Sequence, residues 1–233
     1  MKNLILLFVI FITSNLLQAH GCHPELVNCP IDDTEINFCV IGASAAFGNY
    51  ADFQLQVDEA NFYEEQIRSC PNCRYTGLLA DFKVKFDDKQ KKEIKGFLSK
   101  FKRKYFDDVK ECEIAAQLKE FLKESNDKIA NCYLIGSYIL KLKSKNIDQR
   151  KELQDKARHF FIRAIENKEY SNPIEIASIN YLIAELYRRT ADFKNAIKYY
   201  DVVINSPQKS PWIEDMVSIQ KELAVNGDEN NRK

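Results

Sequence analysis

Two cysteines at a spacing of three, Cys70 and Cys73, form the segment Cys-Pro-Asn-Cys, which can support three kinds of chemistry. Two thiolates on one tight turn can hold a zinc ion, with a second pair from elsewhere in the chain completing a tetrahedron. In an oxidising compartment such cysteines form disulfides instead. The same spacing also occurs in thiol–disulfide redox sites. The other cysteines and the surrounding elements must discriminate between these possibilities.

An incomplete copy of this knuckle lies upstream, at residues 29–32, where Asp32 takes the place of the second cysteine. A carboxylate can ligate zinc, although structural zinc sites use it less often than thiolate. Three ligands would therefore come from cysteines and the fourth from Asp32, His23 or Cys39. The predicted metal ligands are Cys29, Asp32, Cys70 and Cys73.

The two competing hypotheses place Cys70 and Cys73 in other roles. A redox site requires the pair to lie between a strand and a helix of an α/β sheet. After Cys73 the sequence predicts one short strand at residues 81–86 and then only helices, which disfavours redox catalysis. A structural disulfide from Cys29 to Cys70 or Cys73 would stabilise the fold by about 2–4 kcal/mol. On these residues alone, zinc and disulfide remain open alternatives.

The first 21 residues have the order of a secretory signal peptide. Lys2 supplies a positive charge, residues 4–12 are an apolar run too short to span a bilayer, and Ala19 and Gly21 are small. Cleavage after Gly21 would leave Cys22 at the N-terminus, as in a lipoprotein whose first cysteine carries lipid. We predict export to the periplasm or a membrane anchor through lipidated Cys22, with secretion as the second choice.

Composition and charge narrow the functional classes. Few Gly (7) and Pro (6) residues favour helices over a turn-rich β fold. The formal net charge of zero, together with predicted export, disfavours nucleic-acid binding. Residues 83–104 form a basic amphipathic segment that could lie on an anionic membrane, although a charged solvent-exposed face is the commoner outcome. Motifs of hydrolases, kinases and dehydrogenases are absent from the sequence.

From residue 87 onward, apolar residues recur at the three- and four-residue spacing of amphipathic helices. Residues 128–166 and 174–206 are two copies of a repeat, and the second resembles the tetratricopeptide repeat (TPR), a helix-turn-helix unit. The residues that carry this resemblance are Ile183, Ala184, Tyr187, Asp192, Phe193, Ala196 and Tyr200. Small Ala184 and Ala196 would let the two helices approach closely.

Stacked helix pairs of this kind form concave grooves that bind proteins or peptides. We expect Asn180, Glu185 and Arg188, on the first helix of the second copy, to line such a groove. Cys112 and Cys132 lie on predicted helical faces and are interpreted as small buried thiols, with a disulfide between them as the alternative.

The order of motifs resembles the bacterial domain-of-unknown-function family 2225. The matching segments are Cys29-Pro30, Phe38, Asp52-Phe53, Asn61-Phe62-Tyr63, Cys70-Pro71-Asn72-Cys73, Tyr75 and Asp81-Phe82. The resemblance implies that the two knuckles bind zinc, and the family has no established activity. This sequence departs from the family at Asp32, where a Cys is expected, and at Arg74, where Gly normally follows the knuckle. Both departures weaken the zinc hypothesis.

We therefore predict a mainly α protein with a small, irregular or β, Cys-rich N-terminal module. Residues 1–21 are a signal peptide, 22–86 a zinc-ribbon-like or disulfide-stapled module, 87–225 an α-helical TPR-like domain and 226–233 a disordered tail. The predicted function is an exported, non-enzymatic protein-binding scaffold or adaptor of the bacterial envelope. The alternative is a thiol–disulfide oxidoreductase that uses Cys70 and Cys73.

Overall fold

Residues 22–78 contain three β-hairpins, and helices follow. The computed structural model describes residues 22–41, 45–58, 61–101, 106–144 and 146–230, so the predicted signal peptide lies outside the described residues. The strands are β1 (Cys22–Asn28), β2 (Glu35–Ile41), β3 (Ala46–Asn49), β4 (Leu55–Val57), β5 (Ile67–Ser69) and β6 (Thr76–Leu78). The helices are α1 (Asp88–Leu98), α2 (Asp108–Phe121), α3 (Asn126–Leu142), α4 (Ile147–Glu166), α5 (Pro173–Arg189), α6 (Phe193–Ile204) and α7 (Pro211–Val225). This confirms a mainly α protein with a small β module at its N-terminal end.

Each hairpin is a separate two-stranded antiparallel sheet, with pairs β1–β2, β3–β4 and β5–β6. The β1–β2 register places Asn28 opposite Glu35, so the first knuckle forms the connecting turn. In the β5–β6 hairpin Ser69 lies opposite Thr76, and the second knuckle forms that turn. Both cysteine motifs are therefore presented at the ends of hairpins.

The strand predicted at residues 81–86 is wrong. Residues Leu79–Lys83 form a 3₁₀ turn instead. The Asp81 carboxylate accepts a hydrogen bond from the Leu78 N–H at 2.8 Å and pairs with Lys119 of α2 at 2.6 Å. The turn is stabilised by these polar contacts, which the alternation of polar and apolar residues does not reveal.

Side-chain caps define where several helices begin. Asp87 accepts a hydrogen bond from the Gln90 N–H at 2.8 Å, which confirms the predicted start of α1. Asp192 caps α6 in the same way, through the Asn195 N–H. The two helices predicted over residues 174–206 are therefore present as α5 and α6, with Ala184 and Ala196 fully buried.

The predicted domain boundary after residue 86 does not separate the apolar cores: each of two cores contains residues from the hairpins and from the helices. One core joins Tyr63 and Ile67 to α2, α3, α4 and α5. The other joins Cys29, Phe38, Cys70, Tyr75 and Phe82 to α1 and α2. The change at residue 86 is therefore one of secondary structure, and the N-terminal hairpins are held by contacts with the helices.

The predicted disorder of the tail is wrong for its described part, residues 226–230. Arg188 donates hydrogen bonds to the carbonyl oxygens of Asp228 and Asn230 at 2.6 and 2.9 Å. Glu229 pairs with Lys151 of α4 at 2.8 Å. These contacts hold the segment against the helices even though its composition is polar.

A buried carboxylate fixes the second hairpin to the helices. Asp52 is fully buried. Each of its two carboxylate oxygens lies 3.1 Å from the Lys141 ammonium nitrogen, and Oδ2 also lies 3.2 Å from the Arg189 guanidinium. Burial alone would raise the pKa of Asp52, but the charges of Arg189 and Lys141 outweigh it and lower that pKa. The next residue, Phe53, has φ 65° and packs against Tyr181.

We expect Asp52→Ala to lower the free energy of unfolding by about 3–5 kcal/mol, because it leaves the buried Lys141 ammonium without its anion and removes one of the two carboxylates that contact Arg189. Urea denaturation measures this loss. Asp201→Ala is the control, since it removes a 2.7 Å contact between Lys221 and a half-exposed carboxylate. That change should cost less than about 1 kcal/mol. Equal losses in the two variants would contradict the anchoring role of Asp52.

Glu111 of α2 makes the fold sensitive to pH. Burial raises the pKa of Glu111 to about 7, against the opposing effects of hydrogen bonds from Ser69 and the charge of Arg68. Because its folded-state pKa exceeds the ordinary value, the folded protein favours the protonated carboxyl, and this stabilisation is lost as the pH rises from about 4.5 to about 7.

Replacing Glu111 by Gln should therefore stabilise the protein relative to wild type at pH 8 more than at pH 5. Urea unfolding curves at the two pH values measure the difference. Glu93→Gln, at an exposed position of α1, is the matched control and should show the same small effect at both. An effect of Glu111→Gln that does not change with pH would contradict this assignment.

Candidate metal centre

The two knuckles have the same backbone geometry. In the first, the Cys29 N–H donates to the Thr34 carbonyl at 2.8 Å and the Asp33 N–H donates to the Cys29 carbonyl at 3.0 Å. The second knuckle repeats both hydrogen bonds, from the Cys70 N–H to the Tyr75 carbonyl at 2.8 Å and from the Arg74 N–H to the Cys70 carbonyl at 2.9 Å. Asp32 therefore occupies the position in its turn that Cys73 occupies in the other.

The residue after each knuckle adopts a left-handed backbone conformation, with φ 59° at Asp33 and 69° at Arg74. This conformation favours glycine, so Arg74 stands at a position to which a glycine is better suited. The turn nevertheless forms with Arg74, and the Cys73 N–H donates to the Cys70 sulfur at 3.4 Å. Arg74 in place of Gly therefore does not prevent a backbone N–H of the turn from donating to sulfur.

The structure brings all four predicted ligands together. One ligand atom from each of Cys29, Asp32, Cys70 and Cys73 lies within 4.8 Å of the others. The Cys29 and Cys73 sulfurs are 3.4 Å apart, and the Cys70 sulfur lies 3.5 Å from Asp32 Oδ1. Residues separated by some forty positions in the sequence thus form one cluster.

The donor set and its dimensions fit a zinc ion. Zinc–sulfur bonds of about 2.3 Å in a tetrahedron place the sulfurs about 3.8 Å apart, within the range of separations found here. Three thiolates and one carboxylate are a soft-dominated donor set of the kind that zinc accepts. Because the protein itself can supply four ligands, the arrangement matches a closed structural site rather than an open catalytic one.

The sulfur side of the cluster is buried and the carboxylate side is not. Cys29 and Cys70 are 0% and 1% exposed and contact the apolar core, whereas Cys73 and Asp32 are partly exposed. Hydrogen bonding from the thiols of Cys29 and Cys73 lowers the pKa of Cys70, whereas the hydrogen bond to Cys70 and burial raise the pKa values of Cys29 and Cys73. The three sulfurs therefore favour one shared thiolate, and a metal bound there would displace the other two protons.

The remaining cysteines have different environments. The sulfurs of Cys22 and Cys39 lie at disulfide-bonding distance with their Cα atoms 5.0 Å apart, while Cys29, Cys70 and Cys73 are free. The Cys29 and Cys73 sulfurs lie 3.4 Å apart without a bond between them, so a disulfide from Cys29 stays the alternative to a metal, and Cys39, which pairs with Cys22, lies outside the cluster. His23 lies exposed on β1, outside the cluster.

Cys22 has a further consequence for the prediction of a lipid anchor. A disulfide to Cys39 uses the same sulfur atom that would carry an acyl group. Lipidation of Cys22 and this disulfide therefore exclude each other.

Cys112 and Cys132 are buried free thiols, as predicted. Burial raises the pKa of Cys112 well above its ordinary value and that of Cys132 to about 12. Neutral thiols packed in a core are poor nucleophiles, so these residues contribute packing rather than chemistry.

The residues predicted to line a protein-binding groove are buried, so that assignment is wrong. Glu185 and Arg188 are 0% exposed and pair with each other at 3.0 Å, and Glu185 also accepts from Arg189. Asn180 is 7% exposed and donates to the Ile176 carbonyl within its own helix. Polar residue types suggested a solvent-facing position; the i,i+3 and i,i+4 spacing of one Glu and two Arg places them on one helix face, and in the structure that face is buried.

A family model described as "Uncharacterized protein conserved in bacteria (DUF2225)" matches residues 25–224, which include both knuckles. No curated protein and no solved structure matches the chain. In the part of the chain that the structure describes, none of the helices combines the length and apolar character that crossing a bilayer requires.

We expect the purified mature protein to bind one zinc ion, and Cys70→Ser to abolish that binding because it removes a buried sulfur ligand. Zinc removal from the wild type should lower its melting temperature. Native mass spectrometry and thermal scans with and without chelator measure both effects.

Cys112→Ala is the matched control, since it removes a buried thiol outside the cluster and should retain the ion. Full zinc occupancy in Cys70→Ser, or a wild-type protein that takes up no zinc, would contradict the site.

Proposed function

We propose that this chain, which belongs to the DUF2225 family of uncharacterised proteins conserved in bacteria, is an exported, non-enzymatic scaffold that binds other proteins. A structural zinc ion on Cys29, Asp32, Cys70 and Cys73 would brace its N-terminal hairpins. The convergence of these four ligand atoms from two turns carries the proposal.

The composition of the cluster supports a structural role. A catalytic zinc site keeps one coordination position open for water or substrate, whereas this cluster offers four protein ligands. Two of the sulfurs are buried in the core that joins the hairpins to α1 and α2. A metal bound there would cross-link the two hairpins and stabilise their contacts with the helices.

Export is supported by the order of residues 1–21 and by the position of the Cys22–Cys39 pair. Disulfides persist in oxidising compartments and are rare in reducing ones. We place the mature protein in the periplasm, or at the membrane if Cys22 carries lipid in place of the disulfide.

Protein binding is supported by the way in which the helices stack. Helices α2 to α7 each pack chiefly against their neighbours in the chain, which is the pattern of helical-repeat proteins. The second helix pair also carries the residues of the TPR-like pattern. Apolar side chains remain exposed on α6 and α7, among them Val202, Ile219 and Val225. We therefore assign the docking surface to exposed positions of α6 and α7, in place of the buried residues of α5.

The alternative, a thiol–disulfide oxidoreductase, receives less support. Cys70 and Cys73 lie in the turn between β5 and β6, whereas a redox pair of the thioredoxin type lies between a strand and a helix. The proximity of three thiols and one carboxylate is better explained by a metal than by a dithiol.

A photo-crosslinking residue at Val202 or Ile219 should give a discrete protein adduct in the producing bacterium, because these apolar side chains are solvent-exposed. Gel shift and mass spectrometry identify the adduct. Lys194 and Glu214, exposed polar positions on the same two helices, are the controls and should give no such adduct. Absence of a specific adduct at every position would count against the scaffold.

An insulin-reduction assay separates the enzymatic alternative. The scaffold proposal expects equal rates for the native protein and Cys70→Ser. A rate that depends on Cys70 would instead support the oxidoreductase.

A further inference from the structure

The Asp32 carboxylate is held by one donor from each knuckle. The Thr34 N–H, in the same turn, donates to Oδ1 at 3.2 Å. The Asn72 side-chain amide, in the opposite turn, donates to Oδ2 at 2.9 Å. Asn72 therefore ties the two knuckles together at the position where the first one lacks a cysteine.

These hydrogen bonds leave the carboxylate able to ligate a metal. A carboxylate oxygen has two lone-pair directions, so an oxygen that accepts one hydrogen bond can still bind an ion. Oδ1 also lies 3.5 Å from the Cys70 sulfur, the separation expected of two atoms that share one ion. The two donors fix the side chain in the orientation in which its oxygens face the three sulfurs.

The Asp32–Asn72 contact lies at the solvent edge of the cluster. Asn72 is exposed and Asp32 is partly exposed, whereas Cys29 and Cys70 are buried. Water and chelators therefore reach the site from the side of Asp32 and Cys73, and among the four ligands the Asp32 oxygen is the one that the exposed Asn72 holds in place. A carboxylate oxygen is also a harder donor than a thiolate sulfur. The Asp32 ligand therefore differs from the buried sulfur ligands in both solvent exposure and donor chemistry.

We infer that Asp32 makes this a centre of three sulfur ligands and one oxygen ligand, an inference that rests on the metal binding proposed above. Asn72 is the positioning residue: it holds the Asp32 carboxylate and thereby controls how fast the metal is released. Loss of the Asn72 donor frees the carboxylate to rotate away from the ion. Outer hydrogen-bond partners of metal ligands commonly change affinity by about 10–100-fold, which sets the size of the effect. A cysteine at position 32 would restore a four-sulfur site and slow release.

The first test measures zinc release from the loaded mature protein to an excess of a colorimetric chelator. Asn72→Ala should release zinc about 10-fold faster or more, and Asp32→Cys should release it more slowly than wild type. Asp33→Asn, which changes the adjacent exposed carboxylate outside the cluster, should leave the rate unchanged. Equal rates for Asn72→Ala and wild type would overturn the inference.

The second test counts the sulfur ligands with Co²⁺ in place of zinc. The sulfur-to-metal charge-transfer absorption of Asp32→Cys should exceed that of wild type by about one third, since four thiolates replace three. Asn72→Ala should keep the wild-type intensity, and its metal-free unfolding midpoint should match that of wild type. An unchanged charge-transfer band in Asp32→Cys would overturn the inference. A metal-free Asn72→Ala protein with a clearly lower unfolding midpoint than the metal-free wild type would also overturn it, because faster release would then follow from a weaker fold.

These outcomes are distinct from a failure of the proposed function. If the wild type takes up neither zinc nor cobalt, the metal centre itself is rejected. If the wild type takes up zinc and the Asn72→Ala and Asp32→Cys variants release it at the wild-type rate, the metal centre stands and the positioning role is rejected.

Discussion

The N-terminal third of this protein depends on two hairpin turns that face each other across a few ångströms. Each turn is short and internally hydrogen-bonded, so it can fix two side chains but cannot form a core. Facing each other, the turns bring three thiols and a carboxylate to within 4.8 Å. Because Cys29 and Cys70 are part of the apolar core with α1 and α2, the geometry of this cluster and the position of the hairpins on the helices are fixed together.

A second anchor of different chemistry holds the β3–β4 hairpin. Asp52 reaches Lys141 of α3 and Arg189 of α5, and Arg189 in turn contacts Glu185. Burying these charges is costly, and removing any one of them leaves at least one buried charge with fewer partners of opposite sign. The network therefore specifies one position of the hairpin on the helices, while the cluster of Cys29, Asp32, Cys70 and Cys73 joins the turns of the other two hairpins.

Features encoded by local spacing could be predicted from the sequence. The knuckles at residues 29–32 and 70–73, the helix pair over 174–206 and the cap at Asp87 all follow from residues a few positions apart. Features that depend on distant partners could not. Glu185 and Arg188 have polar side chains, and their burial also depends on partners outside their own helix: Tyr200 of α6 donates to Glu185, and Arg188 donates to the Asp228 carbonyl of the tail. The pairing of Cys22 with Cys39 depends on strand register, which the sequence does not display.

The coordination of zinc added to the purified protein is the most direct test of this account. X-ray absorption spectroscopy of the zinc-loaded mature protein should show three sulfur neighbours at about 2.3 Å and one oxygen neighbour at about 2.0–2.2 Å. That first shell requires both turns to contribute and Asp32 to replace the missing cysteine. A shell of oxygen and nitrogen alone, or one with two sulfurs or fewer, would show that the two turns do not meet at a common ion and would contradict the account.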